Sequence, residues 1–288
     1  MRIACAVDEI RKLTPDEVET ILDKDETGQF LLLDVRQPEE YKVGHIPGAV
    51  LIPLGELEAR QGELDRNKKI ITYCHSGRRS MAAAIVLCGL GFKGVQHLDG
   101  GILKWPYETV TGIPEQKPRL LTEAADVRDI LTLALKLEKG SWNFYRAAKD
   151  KVKPSKVKET FQMLADAEDS HMHRLYDHAL GLLGEQPLPL FETLKQELKV
   201  EHMEGGIEIS PALAKIDKKF TDEMEALEIA LEKEYMSYDF YKRASVLVEN
   251  PDAKTLLHEL ALEERQHADT LLQRVAGIAQ RRNKERAK

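Results

Sequence analysis

The octapeptide Tyr73-Cys74-His75-Ser76-Gly77-Arg78-Arg79-Ser80 follows an apolar strand pattern and leads into an alanine-rich helix pattern. A cysteine at such a junction faces successive backbone N–H groups and the positive end of the helix dipole. Arg78 and Arg79 add positive charge, so the loop should stabilise a thiolate, a bound oxyanion or a persulfide. A free thiol ionises near pH ~8.5, and a site of this kind lowers that value. The alternative, a cysteine that only packs in the core, suits Cys88 on the apolar helix face.

Short β-branched runs alternate with helical patterns through residues 1–111, the first predicted domain. Thr14 should cap a helix whose first residue is Pro15, and the helix after the cysteine loop should run over Ser80–Leu90. Strands that alternate with helices predict an α/β domain with a mainly parallel sheet flanked by helices. The predicted strands are Phe30–Val35, Ala49–Ile52, Lys69–Tyr73 and Val95–Leu98.

Several ordered motifs within residues 8–110 resemble the rhodanese family of sulfurtransferases. Cys74-x-x-Gly77-x-Arg79 matches its active-site loop. The other matching segments are Asp34-Val35-Arg36, Glu40-Tyr41 with Gly44-His45-Ile46-Pro47-Gly48-Ala49, and Asp99-Gly100-Gly101 followed by Trp105. The resemblance implies the rhodanese fold and a Cys74 that accepts a sulfane sulfur and passes it to a nucleophile. Arg79 would anchor the loop and help to hold an anionic donor.

The same resemblance assigns the donor-binding loop and its support. The loop consists of His75, Ser76, Gly77 and Arg78, and the supporting residues are Asp34 and Arg36. His75 is either an extra hydrogen-bond donor near the sulfur or a solvent-facing residue. The implied donor is a small molecule such as thiosulfate or a persulfide, and the implied acceptor is a thiol. A related phosphatase family has a cysteine–arginine loop one residue longer, so the six residues from Cys74 to Arg79 favour sulfur over phosphate.

Two prolines and a glycine within Gly112–Pro118 interrupt the α/β pattern and indicate a linker over residues 112–121. Residues 122–288 then lack strand patterns and predict an all-α second domain. Its predicted long helices are Thr122–Lys149, Ser155–Leu180, Asp217–Leu247 and Asp252–Gln280, and the long connection carries a short helix near Glu192–Lys199. Four long helices with one long connection predict a four-helix bundle with one crossover.

The bundle sequence contains an internal repeat with an offset of 96 residues. This offset pairs Leu135 with Leu231, Glu138 with Glu234, Glu168 with Glu264 and His171 with His267. The two halves are therefore copies of one helical hairpin. Because the repeat keeps polar as well as apolar residues, it indicates a shared function in addition to shared packing.

Glu168-Asp169-Ser170-His171 and Glu264-Arg265-Gln266-His267 are both Glu-x-x-His motifs on long predicted helices. A spacing of three places the carboxylate and the imidazole a turn apart on one helix face. The apolar neighbours direct these faces, and those of Glu138 and Glu234, towards the bundle interior. Four inward carboxylates would each cost several kcal/mol, whereas two divalent cations would balance their charge.

This ligand set, a Glu from each of two helices and Glu-x-x-His from each of the others, is that of di-iron and di-manganese carboxylate proteins. We expect two iron ions, although the ligands themselves do not distinguish iron from manganese. A solvated charged helix face is the usual explanation of a single Glu-x-x-His motif. The repeat of the whole set argues against that explanation here.

Residues 122–280 resemble the ferritin-like superfamily, and its rubrerythrin branch in particular, through this spacing and duplication. The resemblance implies a site that reacts with dioxygen or hydrogen peroxide, with Glu138 and Glu234 as terminal ligands, Glu168 and Glu264 as bridges, and His171 and His267 each on one metal. Two departures are evident. No Cys-x-x-Cys pair of a rubredoxin domain is present, so an external electron donor is expected. Ser237 replaces an additional carboxylate of rubrerythrins.

Composition restricts the environment and partners of the chain. The net charge of −7 over 288 residues disfavours nucleic-acid binding. No segment approaches the ~20 consecutive apolar residues of a membrane span. Three scattered cysteines, Cys5, Cys74 and Cys88, are too few for a disulfide framework and favour a reducing cytoplasm. The basic run at residues 281–286 is expected to be a frayed, solvated helix end.

Two functions fit these patterns. The first is a sulfurtransferase that forms a persulfide on Cys74, coupled to a di-iron bundle acting in peroxide or oxygen reduction. The second is a persulfide carrier or redox sensor whose bundle senses or stores iron or oxidant. A bundle that serves only oligomerisation is a third hypothesis, and pairing through apolar outer faces into a homodimer is compatible with the sequence.

Overall fold

A computed structural model describes residues 10–25, 27–112, 125–183, 189–203, 207–216 and 222–286. The chain divides into two compact units, Met1–Lys117 and Pro118–Lys288. Of the predicted linker, residues 112–121, only Gly112 lies within the described residues, and Cys5 lies outside them. Among the described helices, none combines the length and the apolar character that crossing a membrane requires.

The first unit is built on a five-stranded sheet. Its strands are β1 (Arg11–Leu13), β2 (Phe30–Asp34), β3 (Val50–Leu51), β4 (Lys69–Tyr73) and β5 (Gln96–Leu98). Neighbouring strands pair in parallel in the order β1-β5-β4-β2-β3. β4 lies at the centre, and all its residues after Lys69 are buried. The chain therefore enters the Cys74 loop from the middle of the sheet.

The described part of the first unit also contains α-helices and short 3₁₀ turns, the turns at Leu54–Glu56, Gln61–Glu63 and Gly101–Lys104. The α-helices are α1 (Pro15–Asp23), α2 (Pro38–Val43), α3 (Leu57–Arg60) and α4 (Arg78–Gly89). α1 begins as predicted, because the Thr14 hydroxyl accepts from the Glu17 N–H while the Glu17 carboxylate accepts from the Thr14 N–H. This reciprocal cap satisfies two backbone donors that the first helical turn leaves over.

The predicted α/β class is confirmed, and each predicted strand contains an observed one. β1 was not predicted, because two of its three residues, Arg11 and Lys12, are exposed and charged. α4 begins at Arg78, two residues before the predicted start at Ser80. The reason is Gly77, whose φ of +94° supplies a left-handed helix cap that other residues rarely adopt.

The second unit is mostly helical. Its described elements in chain order are α5 (Val127–Lys151), α6 (Ser155–Leu183), α7 (Phe191–Glu197), β6 (His202–Met203), β7 (Ile207–Glu208), α8 (Ile209–Lys215), α9 (Glu223–Leu247) and α10 (Pro251–Arg286). Three-residue turns join α5 to α6 and α9 to α10, so the two halves of the repeat are two helical hairpins. Asp126 and Asp222, which are 96 residues apart, cap α5 and α9. The repeat thus includes the start of each hairpin.

The connection between the hairpins differs from the prediction in one respect. The short helix is present as α7, but the expectation of no strands is wrong, since β6 and β7 form an antiparallel pair. Unlike the equally short β3, neither strand lies within an apolar run of the sequence. The frayed helix end expected at residues 281–286 stays a prediction: α10 continues through Arg286, Arg281 is exposed, and Arg282 donates to Asp222 at 2.7 Å.

Gly140 in α5 lets β6 approach the helix backbone. A Cβ at Gly140 would lie 2.0 Å from the carbonyl oxygen of His202 and 2.8 Å from the Cα of Met203. Met203 is buried, 3% exposed. Glycine in a helix interior costs about 1 kcal/mol relative to alanine, and this contact explains why it is present.

We expect Gly140→Ala to lower the free energy of unfolding by about 1–3 kcal/mol, because the new methyl group would force the β6 backbone away from α5. Gly277→Ala in α10 is the matched control, since no atom outside its own helical turn lies within 4 Å of that Cβ. It should leave stability unchanged or raise it through helix propensity. Urea denaturation measures both variants, and equal stabilities would contradict the close packing of β6.

Candidate functional sites

Cys74 follows the central strand β4, which pairs with β2 on one side and β5 on the other. It therefore leaves the sheet at the carboxyl ends of parallel strands, where open α/β sheets bind their ligands. Cys74 is 1% exposed, whereas His75, Ser76 and Arg78 are exposed and Gly77 is buried. The sulfur thus lies inside a loop whose other side chains reach solvent.

Hydrogen bonds from the loop stabilise the ionised form of Cys74. The Gly77 N–H donates to Sγ at 3.1 Å. Burial alone would raise the pKa of the Cys74 thiol, but hydrogen bonds from the backbone and hydroxyl of Ser80 and from the backbone N–H groups of Ser76 and Gly77 outweigh burial and lower it. Ser80 was not among the predicted site residues. Its Oγ also lies 3.0 Å from the Gly77 carbonyl oxygen and 3.3 Å from Nδ1 of the buried His97.

A two-glycine turn holds the other side of the cysteine loop. The Ile102 N–H donates to the Cys74 carbonyl at 2.8 Å, and the Leu103 N–H donates to the His75 carbonyl at 3.0 Å. A Cβ at Gly101, whose φ is +63°, would lie 2.3 Å from the Cys74 carbonyl oxygen. Only glycine permits this approach, which explains physically why the sequence has a glycine pair after Asp99.

Arg79 anchors the loop through an ion pair with Glu40 of α2. Its guanidinium donates to both carboxylate oxygens at 2.7 Å. These hydrogen bonds lower the pKa of Glu40 to about 2. Both side chains are about one-third exposed, 34% and 33%, so the pair orients the loop more than it stabilises the fold. Glu40 lies in one of the segments that resemble the rhodanese family, but it is not among the predicted site residues.

Asp34 and Arg36 form a buried pair beside the loop. The Arg36 guanidinium donates to both carboxylate oxygens of Asp34 at 2.7–3.0 Å and to the Gly44 carbonyl at 2.8 Å. It also lies 5.6 Å from the ring centre of Tyr73, the residue before Cys74. This pair therefore fixes the chain after β2 against the end of β4.

In the bundle, the six predicted metal-binding side chains form two groups. The first ligand group is Glu138, Glu168 and His171, and the second is Glu234, Glu264 and His267. The first comes from α5 and α6 and the second from α9 and α10, so each hairpin supplies one group. The four glutamates are between 1% and 4% exposed. Their burial argues against the alternative explanation, a solvated charged helix face.

Each group brings one histidine nitrogen towards two carboxylates. Nδ1 of His171 lies 3.4 Å and 3.7 Å from carboxylate oxygens of its group, and Nδ1 of His267 lies 3.5 Å and 3.7 Å from those of its own. Within a group the three potential ligand atoms lie within 4.8 Å of one another. The two imidazole rings stack with centroids 3.8 Å apart. The two groups therefore adjoin and could hold two neighbouring ions.

Two buried atoms of the second group test the fit of a metal ion. Oε2 of Glu234 and Nδ1 of His267 make no hydrogen bond with the residues that the structure describes. Burial alone would raise the pKa of Glu234, but the charge of Lys233 and the contact with His267 outweigh burial and lower it. Metal ligands must be deprotonated. An ionised carboxylate beside an imidazole nitrogen fits a cation.

Lys233 is a member of this site that sequence analysis missed. Its Nζ lies 2.6 Å from Oε1 of Glu168 and 3.5 Å from Oε1 of Glu234, and the residue is 2% exposed. The ring centre of Tyr145 lies 5.2 Å from the same nitrogen. A signal was available, because the repeat pairs Lys233 with Leu137, an apolar residue on the inward face. Ser237, where rubrerythrins carry a carboxylate, is fully buried.

The comparisons match both units. One family model, a rhodanese-like domain, covers residues 14–107, and another, rubrerythrin, covers residues 129–275. The "Putative sulfur carrier protein YrkF" of Bacillus subtilis is 48% identical over 88 residues, 31% of this chain and 46% of that protein. This chain thus spans about half the length of that relative.

Two further relatives are matched over most of their length. A sulfurtransferase of Allochromatium vinosum is 36% identical over 80 residues, 28% of this chain and 75% of that protein. Thiosulfate sulfurtransferase GlpE of Pseudomonas syringae is 31% identical over 108 residues, 36% of this chain and 98% of that protein. Because the rubrerythrin model, over residues 129–275, covers just over half of the chain, the chain belongs to the rubrerythrin family, and it carries a rhodanese-like domain ahead of its rubrerythrin domain.

Proposed function

We propose that this protein is a rhodanese-type sulfurtransferase that forms a persulfide on Cys74, and that its bundle acts in peroxide or oxygen reduction at a di-iron site. The observation that supports sulfur transfer best is the buried Sγ of Cys74 beside backbone N–H donors that lower its pKa. The same donors would stabilise the negative charge of a persulfide. Relatives named sulfurtransferases support the same activity.

The sulfur step follows from the chemistry of the loop. The Cys74 thiolate attacks the outer sulfur of thiosulfate, an S–S bond forms, and the S–S bond of the donor breaks. Sulfite leaves with the electron pair. An acceptor thiolate then attacks the terminal sulfur of the persulfide, takes it, and releases Cys74 as the thiolate. Arg78, exposed at the loop, is suited to attract the anionic donor, and Arg79 holds the loop in place through Glu40.

For the bundle, we propose iron at the two ligand groups, with manganese as the alternative. The bound metals would supply the redox chemistry of peroxide or oxygen reduction. The protein's own residues exclude water, since the four glutamates are buried, and they hold carboxylates and imidazoles in two adjacent sets. The proposed partners are a small sulfur donor, a thiol acceptor and an external electron donor, with no nucleic acid or membrane partner and with homodimers as one arrangement.

A second candidate is a persulfide carrier or redox sensor. Two observations favour it: Ser237 replaces a carboxylate of rubrerythrins, and Lys233 places a cation among the ligands. Both reduce the negative charge available to metals. Such a protein would consume peroxide slowly or once per molecule even with a supplied reductant, whereas the first candidate would sustain turnover.

Cys74→Ser should reduce thiosulfate:cyanide sulfur transfer to background, because the hydroxyl neither ionises near neutral pH nor bears a sulfane sulfur. Cys88→Ser is the matched control, since Cys88 lies in α4 and outside the loop. It should retain the wild-type rate. Mass spectrometry after thiosulfate treatment should show one added sulfur on wild type and on Cys88→Ser only. Equal rates for wild type and Cys74→Ser would remove Cys74 from the mechanism.

Ser80→Ala should raise the pKa of Cys74, because the Ser80 hydroxyl is one of the groups that lower it. The thiolate is the reactive form, so the rate falls as pH falls through the thiol pKa, and the variant should lose rate at a higher pH than wild type. Single-turnover persulfide formation across pH measures this shift. Ser76→Ala is the control, since Ser76 acts through its backbone N–H. An unshifted profile in Ser80→Ala would contradict the assignment.

Protein purified without added metal should contain about two iron ions per chain by elemental analysis. The double variant Glu138→Gln/Glu234→Gln should contain less than about one, because each group loses a charged ligand. Glu263→Gln, adjacent to a ligand but outside both groups, should match wild type. Wild-type protein with less than about one metal ion per chain, even after anaerobic reconstitution with ferrous iron, would exclude the di-iron proposal.

A further inference from the structure

We propose that Lys233 competes with metal ions for Glu168 and Glu234, and that it thereby weakens binding of the second ion relative to the first. This inference rests on the proposed metal site and goes beyond it, because it assigns a residue that limits metal loading. The observation is geometric: one buried ammonium group lies between a carboxylate of each ligand group, 2.6 Å from Glu168 and 3.5 Å from Glu234.

Charge explains the competition. As metal ligands the four glutamates must be deprotonated, so they carry four negative charges, and Lys233 reduces the net charge of the site to −3. A first divalent ion leaves −1, which is still favourable. A second leaves +1 unless the lysine withdraws, so a buried cation must either move or face a like charge. Because water does not screen charges well inside the bundle, a like charge this close to the ligands weakens binding of the second ion.

The internal repeat has an apolar residue at the position equivalent to Lys233. The equivalent position in the other hairpin is Leu137, which is 1% exposed. A shorter, apolar side chain is therefore accommodated at the equivalent position of the bundle. Lys233 breaks the pseudo-symmetry of an otherwise duplicated ligand set, and it does so in a direction that opposes cation binding.

Manganese titration of chelator-treated protein tests the proposal, with the electron paramagnetic resonance signal of free Mn²⁺ as the readout. Wild type should bind one ion more tightly than the other. In Lys233→Leu the second ion should bind at least about tenfold more tightly, since a like charge has been removed. Lys136→Leu is the matched control, because Lys136 lies one position before Leu137 on α5 and is exposed. It should reproduce the wild-type titration.

Thermal unfolding of the metal-free proteins gives a second readout. Lys233→Leu should melt at a lower temperature than wild type, because Glu168 loses a buried counter-ion. The double variant Lys233→Leu/Glu168→Gln should recover part of that loss, since it removes the uncompensated charge as well. Should Lys233→Leu fail to fold by circular dichroism, Lys233→Gln keeps a polar group beside Glu168 without the charge and takes its place in both measurements.

The outcomes separate this inference from the proposed function. Equal second-ion affinities in wild type and the Lys233 variants would overturn the role of Lys233 and leave the metal site in place. Absence of Mn²⁺ binding in wild type and in both Lys233 variants would overturn the metal site, and the competition with it. Tighter second-ion binding in the Lys233 variants but not in Lys136→Leu would support the proposal.

Discussion

Burial of four glutamates at one level of a helical bundle is the constraint on which the second unit depends. Each buried carboxylate costs several kcal/mol unless positive charge compensates it. Lys233 supplies one such charge, and the proposed metal ions would balance the rest. Each hairpin positions one ligand group. A Glu and a His one turn apart on one helix, and a Glu on the neighbouring helix, bring three potential ligand atoms within 4.8 Å of one another. The long helices are the supports for these two sets.

The first unit stabilises a single anion in another way. The Gly77 N–H donates directly to the Cys74 sulfur, Ser80 and Ser76 add further hydrogen bonds, and the Arg79 guanidinium interacts with the same sulfur. Backbone dipoles that are fixed by a left-handed glycine cap need no reorganisation when charge develops. Arg79 also holds the loop from its edge, where solvent reduces the energy of its pair with Glu40.

Sequence patterns predicted the α/β class, the bundle and the residues that the structure gathers into two ligand groups, because period, motif spacing and the 96-residue repeat are properties of sequence alone. β1 was not predicted because two of its three residues are exposed and charged, and β6 was not predicted because its two residues do not lie in an apolar run. Lys233 escaped for another reason: a lysine on a charged helix is normally solvated, and only packing reveals that it is 2% exposed. The hydrogen bonds from Ser80 to Cys74 were likewise not predicted, because they depend on the conformation of the loop.

The repeat also shows where the two halves have diverged. Ser141 and Ser237 are equivalent positions and both are fully buried, so the loss of the rubrerythrin carboxylate makes the ligand set more symmetrical, not less. The equivalent residues Leu137 and Lys233, in contrast, differ in charge, and Lys233 lies beside Glu168 and Glu234. A symmetrical set of ligands would give two ions similar environments. A single ammonium group near both sets would instead raise the energy of the state in which both ions are bound. The asymmetry of this bundle therefore resides in a neighbouring cation and not in its ligands.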